Sequence, residues 1–331
     1  MGVSTTPLVD PFGRTVRDLR ISVTDRCNFR CQYCMPEEGM VWLPRDELLT
    51  FEEIERVARV CVERFGFDGI RLTGGEPTVR AHLPVLVDKL AKLDVDLAMT
   101  TNGATLGLLA GELRRAGLRR INISCDSLRR ERFSAMTHRD ALDRVLDGID
   151  AALEAGFDPV KVNCVVLRGV NDDELVDFAT FGRERGVIVR FIEWMPLDAQ
   201  DAWGRDKVMP AADIVAEIDA VYPLAPAATR GAQPAERFLF RDGHGEVGVI
   251  GSVTQSFCGS CDRVRLTAEG QFRNCLFAIR ETDLRGILRG GGSDDDVAAA
   301  IATDVGNKWA GHAIDQVHFV KPPRSMSQIG G

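Results

Sequence analysis

The sequence has 331 residues and a formal charge of −8, with 41 Lys and Arg side chains against 49 Asp and Glu. Hydrophobic residues make up 45% and charged residues 27%, which is the composition of an ordinary globular protein. The acidic balance disfavours a general nucleic-acid-binding protein. The first residues lack the apolar core of a secretory signal, and no apolar stretch approaches the ~18 residues of a membrane span. These patterns predict a cytoplasmic protein that binds neither nucleic acid nor a membrane.

The predicted elements begin, after a lead-in over residues 1–17, with a short strand in which Leu19, Ile21 and Val23 alternate. Thr50 and Glu53 fit a capping box and predict a helix that runs to about Phe65. Beyond it, strands are predicted at 69–73, 96–101, 120–126, 159–167 and 187–193, separated by helices at 82–93, 105–116, 140–155 and 172–185. This alternation predicts a parallel sheet with right-handed crossovers, either an open Rossmann-like sheet or an incomplete barrel.

The pattern changes after residue 196, where prolines become frequent and one helix is predicted at 211–220. Short strands follow at 238–240, 247–250, 264–266 and 272–275, and a helix at 294–310. We therefore predict a lead-in (1–17), an α/β domain (18–196) and a C-terminal region (197–331).

Nine cysteines in such a chain indicate metal binding rather than disulfides. Cys27, Cys31 and Cys34 form a Cys-x3-Cys-x2-Cys loop. Thiolates select zinc, copper(I) or an iron–sulfur cluster, and three are one short of the four ligands of a [4Fe–4S] cluster. One iron would thus be open to a non-protein ligand, whereas a structural zinc loop is the alternative. The isolated Cys61, Cys125 and Cys164 are predicted to be buried apolar side chains.

A second trio, Cys258, Cys261 and Cys275, again lacks a fourth cysteine. A second cluster with an open iron fits this count better than a closed zinc site, although His312 or His318 could return in space to complete one. Arg263 and Arg265 follow on one face of a predicted strand and form a fork suited to phosphate. The alternative for this arginine pair is a solvated strand face with two ion pairs.

The first loop, in VTDRCNFRCQYCMP, resembles the signature of the radical S-adenosylmethionine (SAM) superfamily. With RLTGGEP, TTNG, RINISCDS, RFIEWM, SFCGSCDRVRL and the final IGG, the resemblance covers almost the whole chain and narrows to the GTP 3′,8-cyclases of molybdenum cofactor biosynthesis. It implies an incomplete (β/α)6 TIM-like barrel with a C-terminal α+β extension that carries a second Fe–S cluster. It also implies that the Gly-Gly tail threads toward the active site.

Carried over by position, the resemblance implies that two [4Fe–4S] clusters are bound by Cys27, Cys31 and Cys34 and by Cys258, Cys261 and Cys275. It assigns SAM binding to Tyr33, Gly74, Gly75, Glu76, Ser124 and Met195. GTP would contact Arg20, Arg71, Thr100, Lys161, Arg190, Arg263 and Arg265, although Arg190 could instead pair with Glu193. For the Gly74–Pro77 turn, the alternative is a simple strand end.

The reaction implied is that of a lyase with no side-chain acid or base. The reduced first cluster cleaves SAM, the hydrogen at C3′ of GTP is abstracted, and a C3′–C8 bond forms to give (8S)-3′,8-cyclo-7,8-dihydroguanosine 5′-triphosphate. The implied partners are a one-electron reductant and cyclic pyranopterin monophosphate synthase, which takes the product, and a homodimer is left open. The alternatives are a radical SAM enzyme that acts on a peptide, an electron carrier and a zinc-binding module.

Overall fold

The computed structural model describes residues 5–36, 38, 40–227, 230–312, 314 and 319–330. The predictions that involve His318 and Gly331 lie outside these residues. Twelve strands are present in the described ranges: β1 (Asp18–Ser22), β2 (Gly69–Thr73), β3 (Asp96–Thr101), β4 (Arg120–Ser124), β5 (Val160–Val166), β6 (Ile188–Glu193), β7 (Leu224–Pro226), β8 (Glu236–Phe240), β9 (Glu246–Ile250), β10 (Arg263–Leu266), β11 (Gln271–Arg273) and β12 (Thr282–Asp283).

Ten α-helices accompany the strands within the same described ranges. They are α1 (Phe51–Phe65), α2 (Leu83–Ala91), α3 (Ala110–Arg115), α4 (Arg130–Thr137), α5 (Leu142–Glu154), α6 (Leu175–Arg185), α7 (Ala211–Asp219), α8 (Leu284–Arg289), α9 (Asp294–Val305) and α10 (Met326–Ile329). In this described part of the chain, none of the helices is both long and apolar enough to cross a membrane.

Helix α1 shows why the predicted alternation folds as it does. The side chain of Thr50 accepts the backbone N–H of Glu53, and the Glu53 carboxylate accepts that of Thr50, so the predicted capping box is confirmed. Gly66 ends the helix in the left-handed conformation, with φ 71°. Ile54, Val57 and neighbouring apolar side chains are buried against the sheet, so the cap and one apolar face together fix the position of α1.

The strands form one sheet in the order β12-β11-β10-β1-β2-β3-β4-β5-β6-β9-β8-β7. The consecutive strands β1 to β6 pair in parallel, as the sequence predicts. β10 adds to β1 and β9 adds to β6, also in parallel, and antiparallel strands finish both ends. Strands that follow residue 197 therefore extend both edges of the barrel sheet instead of forming a sheet of their own.

Several local elements differ from the sequence prediction. Helix α4 lies in a stretch that the apolar pattern did not mark, because it buries only Phe133, Met136 and Thr137. The helix predicted over 294–310 ends at Val305, because Gly306 closes it. Cys61, Cys125 and Cys164 are buried as predicted. The lead-in is also packed: Leu8 and Val16 are buried, and Val9 pairs with Thr15 in an antiparallel bridge.

Candidate active site

A cavity of about 300 Å³ opens at the carboxyl ends of the barrel strands. The loop after β1 brings the first cysteine trio to it. The segment between β9 and β10 brings Cys258 and Cys261, and the chain just after β11 brings Cys275. All six cysteines are free thiols that line this single cavity. The position agrees with the general rule that parallel α/β barrels place their chemistry at the carboxyl ends of the strands.

The loop of the first trio is held by the turn that follows β2. The backbone N–H of Gly75 donates to the carbonyl of Thr24 (2.8 Å), and that of Glu76 donates to the carbonyl of Arg26 (2.8 Å). A Cβ on Gly75 would lie 2.3 Å from the Arg26 oxygen, so only glycine permits this close approach. The N–H groups of Gly75 and Glu76 thus hold the cysteine loop, and the contact of this turn with SAM stays a prediction.

The Glu76 carboxylate extends this connection to β3. It accepts hydrogen bonds from the hydroxyls of Thr78 and Thr101 (both 2.6 Å) and from the backbone N–H of Asn102 (2.6 Å). Burial raises the pKa of Glu76, and these donors act in the opposite direction. Glu76 lines the cavity, but its carboxylate positions the ends of two strands.

The first trio lies in surroundings that disfavour free thiolates. Burial raises the pKa of Cys27 to about 11 and that of Cys34 to about 12. The carboxylates of Glu76 and Asp126 act in the same direction, on the pKa of Cys27 and of Cys31 respectively. Deprotonation of these thiols therefore requires a positive centre held between them, which a metal cluster supplies.

The second trio lies in a different electrostatic environment. Burial alone would raise the pKa of Cys258, but the hydrogen bond and charge of His312 lower it to about 6. The pKa of Cys261 is also lowered, because the charges of Arg263 and Lys308 outweigh burial. Cations thus surround the second trio, whereas carboxylates approach the first.

The N-terminal lead-in fixes the second trio in place. The buried Arg14 guanidinium donates to the carbonyl of Cys258 (2.7 Å). It also donates to the carbonyls of Ala310 (2.8 Å) and Trp309 (2.5 Å), in a stretch that we call the 308–312 segment. Asp10 forms an ion pair with Arg14 at 2.5 Å. A buried arginine with three carbonyl acceptors thereby ties the chain's beginning to this loop.

Five arginines on four strands line the cavity: Arg20, Arg71, Arg190, Arg263 and Arg265. The register places Arg20 between Arg71 and Arg265. Within the described residues, four of their buried Nε atoms have no hydrogen-bond partner, those of Arg20, Arg71, Arg263 and Arg265. Burial lowers the pKa of Arg20, as do the charges of Arg265 and Arg71. Such a group of cations is stable only beside an anion, so the cavity fits a polyphosphate.

The side of the cavity near Tyr33 contains a buried carboxyl group. The Tyr33 hydroxyl donates to Asp126 Oδ2 (2.5 Å), and burial raises the pKa of Asp126 to about 6. Ser124 and Met195 line the cavity nearby, as does Gly74. Asp126 ends the predicted strand 120–126, and this position at the carboxyl end of a strand is the sequence signal that assigns it to the site.

Most of the predicted site residues come together, and Lys161 is the exception. Thr100 lines the cavity and accepts a hydrogen bond from Asn122 (3.3 Å). Lys161 is not among the lining residues, because it lies two residues before Asn163, nearer the amino end of β5. Burial, followed by the charge of Arg190, lowers the pKa of Lys161 to about 8. Its contact with GTP stays a prediction.

Arg190 is not paired with Glu193. Its Nε donates to Asn163 Oδ1 (2.9 Å), whereas Glu193 accepts the backbone N–H groups of Ala211 and Val253. Among the lining residues that the sequence did not reveal are the apolar and aromatic side chains of Phe29, Leu197, Phe257, Phe277 and Met326. Nothing in the local pattern distinguishes these side chains from ordinary core residues.

The tail reaches the same end of the barrel. Gly330 is buried with φ 71°, and a Cβ there would lie 2.5 Å from both Ser22 Oγ and Thr73 Cγ2. Ile329 packs with Leu197, Val253 and Phe277 in a small second core. Within the described ranges, the structure contains no group of three or more His, Cys, Asp or Glu side chains that is placed to hold a single metal ion.

Comparison with known proteins agrees with this arrangement. Residues 21–182 match the family model described as Radical SAM superfamily, and residues 187–314 match Molybdenum Cofactor Synthesis C. The crystal structure of Streptococcus suis SuiB bound to S-adenosylmethionine has a TM-score of 0.60 and 14% identity, covering 83% of this chain and 66% of that one. At that identity the likeness shows the fold alone.

The fold, the cysteine loop and the first family model place the chain among the radical SAM enzymes. GTP 3′,8-cyclase 2 of Mycobacterium tuberculosis strain H37Rv is 47% identical over 99% of this chain and 93% of its own length. GTP 3′,8-cyclases of Streptomyces coelicolor (47%; 98% and 96%) and Rhodopirellula baltica (48%; 98% and 92%) are similarly related. This chain belongs to the GTP 3′,8-cyclase family, which confirms the resemblance found in the motifs and the predicted incomplete barrel.

Proposed function

We propose that the protein converts GTP to (8S)-3′,8-cyclo-7,8-dihydroguanosine 5′-triphosphate, the first step of molybdenum cofactor biosynthesis. The observation that carries this proposal is the single cavity lined by two cysteine trios and five arginines, of which Arg190, Arg263 and Arg265 are buried. A peptide-modifying enzyme has no need of five convergent guanidiniums, and an electron carrier has no need of a cavity this size.

The first trio fits a [4Fe–4S] cluster that leaves one iron for SAM, as membership of the radical SAM superfamily implies. We propose that Cys258, Cys261 and Cys275 hold a second [4Fe–4S] cluster, supported by their free thiols, by the cations near them and by their place in the same cavity as the first trio. Bound together, SAM and the first cluster supply a carbon-centred radical that removes one hydrogen atom. The chain's own contribution is to orient the reactants and to exclude water.

We assign the triphosphate to the arginines. GTP carries roughly four negative charges, and bidentate guanidinium contacts are the strongest ordinary phosphate ligands. Because the arginines lie deep among the strands, the phosphates would enter first and leave guanine near the second trio. Tyr33, Gly74, Gly75, Ser124 and Met195 would contact SAM at the other wall.

The proposed function also involves an electron donor and an enzyme that takes the product. A one-electron reductant must reach the cavity mouth, and the product is of the kind that cyclic pyranopterin monophosphate synthase consumes. A cytoplasmic location is expected from the sequence pattern, and a homodimer is left open.

The reaction is tested with anaerobically reconstituted protein, SAM, dithionite and GTP deuterated at C3′. We expect 5′-deoxyadenosine that carries one deuterium, measured by mass spectrometry. Unlabelled 5′-deoxyadenosine that forms equally without GTP would exclude GTP as the substrate, and the peptide-modifying alternative would replace it. A variant with all three of Cys27, Cys31 and Cys34 changed to Ala is the control and should form no 5′-deoxyadenosine.

The substrate contacts are tested with Arg265→Gln. One lost charge-assisted contact costs about 1.5–3 kcal/mol, so we expect the Kd for GTP to rise roughly ten- to hundredfold. Arg64→Gln, on the exposed side of α1, removes the same charge and should leave the Kd unchanged. Equal Kd values for the two variants would contradict the assignment of Arg265 to the phosphates.

A further inference from the structure

The 308–312 segment lies directly against the second cysteine trio. A Cβ added to Gly311 would lie 2.8 Å from the Cβ of Cys258 and 3.3 Å from its sulfur. The carbonyls of Trp309 and Ala310 are held by Arg14, so the segment has a fixed position. The backbone of Lys308, at the start of this segment, is therefore also held in place.

Lys308 is buried, with 4% of its surface exposed. Its Nζ donates to the carbonyl of Arg263 (2.6 Å) and to that of Asn274 (2.6 Å). These carbonyls lie beside the trio in the chain, since Arg263 begins β10 two residues after Cys261 and Asn274, just after β11, directly precedes Cys275. Distances this short are typical of a charged donor.

The partners of Lys308 satisfy its hydrogen-bonding groups but not its charge. Carbonyls are neutral, and in the described part of the chain no carboxylate forms a salt bridge with this ammonium group. Burial lowers the pKa of Lys308. The negative charges of the Cys261 and Cys275 thiolates act against this effect, whereas Arg14 and Arg265 add to it. A buried cation is costly unless an anion compensates it. The anion that this site can supply is the thiolate trio with its cluster.

We propose that Lys308 is a positioning residue whose ammonium charge compensates the second cluster and raises its reduction potential. The inference rests on the second cluster of the proposed function. The potential of an iron–sulfur cluster depends on net charge, hydrogen bonds and exposure to solvent. Reduction adds one electron, so a fixed cation nearby stabilises the reduced form more than the oxidised form.

The test uses the full-length chain with Cys27, Cys31 and Cys34 changed to Ala, so that only the second trio can bind a cluster. In this background, Lys308→Gln is compared with Lys308→Arg, which keeps the charge. Lys92→Met, an exposed lysine on the distant α2–β3 connection, is the charge-matched control. Iron per chain is counted, and the midpoint potential is read from electron paramagnetic resonance during a dithionite titration.

We expect a lower midpoint potential in Lys308→Gln, with Lys308→Arg and Lys92→Met close to the parent. Loss of iron in Lys308→Gln with retention in Lys308→Arg also supports the proposal, because the charge then holds the thiolates. Equal behaviour of the glutamine and arginine variants, whether both match the parent or both lose iron, overturns it. Absence of iron in the parent background instead refutes the second cluster itself.

Discussion

Substitution of Glu76 by Gln tests how the cavity wall is built. One carboxylate oxygen accepts from the backbone N–H of Thr78 (3.0 Å), from its hydroxyl (2.6 Å) and from the Thr101 hydroxyl (2.6 Å). The other accepts from the backbone N–H of Asn102 (2.6 Å). The single amide oxygen of Gln can serve the first three donors, but its NH2 group then faces the Asn102 N–H.

The expected loss follows from that mismatch. One buried, unsatisfied N–H costs about 1–3 kcal/mol, and the weaker neutral acceptor adds to it. The substitution also removes a buried negative charge, which offsets part of this destabilisation, so we expect a net loss of about 2–3 kcal/mol in the free energy of unfolding. At about 2.1 cal/mol/K per residue, a chain of 331 residues loses about 1.4 °C per kcal/mol. The melting temperature should therefore fall by roughly 3–4 °C.

The assay is calorimetry of the metal-free protein, so that cluster content does not affect the result. Glu217→Gln, at an exposed position in the middle of α7, is the matched control and should change the melting temperature by less than about 1 °C. A Glu76→Gln melting temperature equal to that of the control would refute the view that this carboxylate holds the turn after β2 to the end of β3.

Two further predictions concern the two walls of the cavity. Because burial raises the pKa of Asp126 to about 6, its contribution to stability is present below about pH 4 and is lost as the pH rises through 6. We expect urea unfolding of the metal-free protein to show this loss: between pH 4 and 7, the free energy of unfolding of the wild type should fall by up to about 3 kcal/mol relative to that of Asp126→Asn. A difference between the two proteins that does not change with pH would contradict this prediction. Arg14→Met removes the donors to Cys258 and to the 308–312 segment, so iron should fall from roughly eight to roughly four per chain. The exposed Arg17→Met is its control, and equal iron in both variants would refute the anchoring role.

The central strands were predictable because their signals are local. The capping box of α1, the apolar alternation of β1 and the Gly-Gly turn after β2 each lie within a few residues. Such signals fixed the order of strands and helices up to β6, and hence the edge at which polar side chains gather.

Long-range pairing could not be predicted in this way. Nothing near Arg265 indicates that β10 lies beside β1, yet this register places Arg265 next to Arg20. Lys308 is a similar case: no local pattern indicates that residues after the end of α9 at Val305 bring its ammonium group to the carbonyls of Arg263 and Asn274. Asp126 was visible at a strand end, but only the fold brings Tyr33 to it.

The pairing of β1 with β10 has a consequence for how the chain matures. The first trio leaves the ribosome long before residue 266, and at ordinary synthesis rates the interval is on the order of ten seconds or more. During that time one edge of β1 has no strand beside it, and its backbone groups are open to pairing with another chain. During the same interval the thiols of the first trio are open to solvent, before the second trio and the tail reach the cavity. Cys27, Cys31 and Cys34 are still partly exposed in the folded chain, so iron can reach them both during synthesis and afterwards.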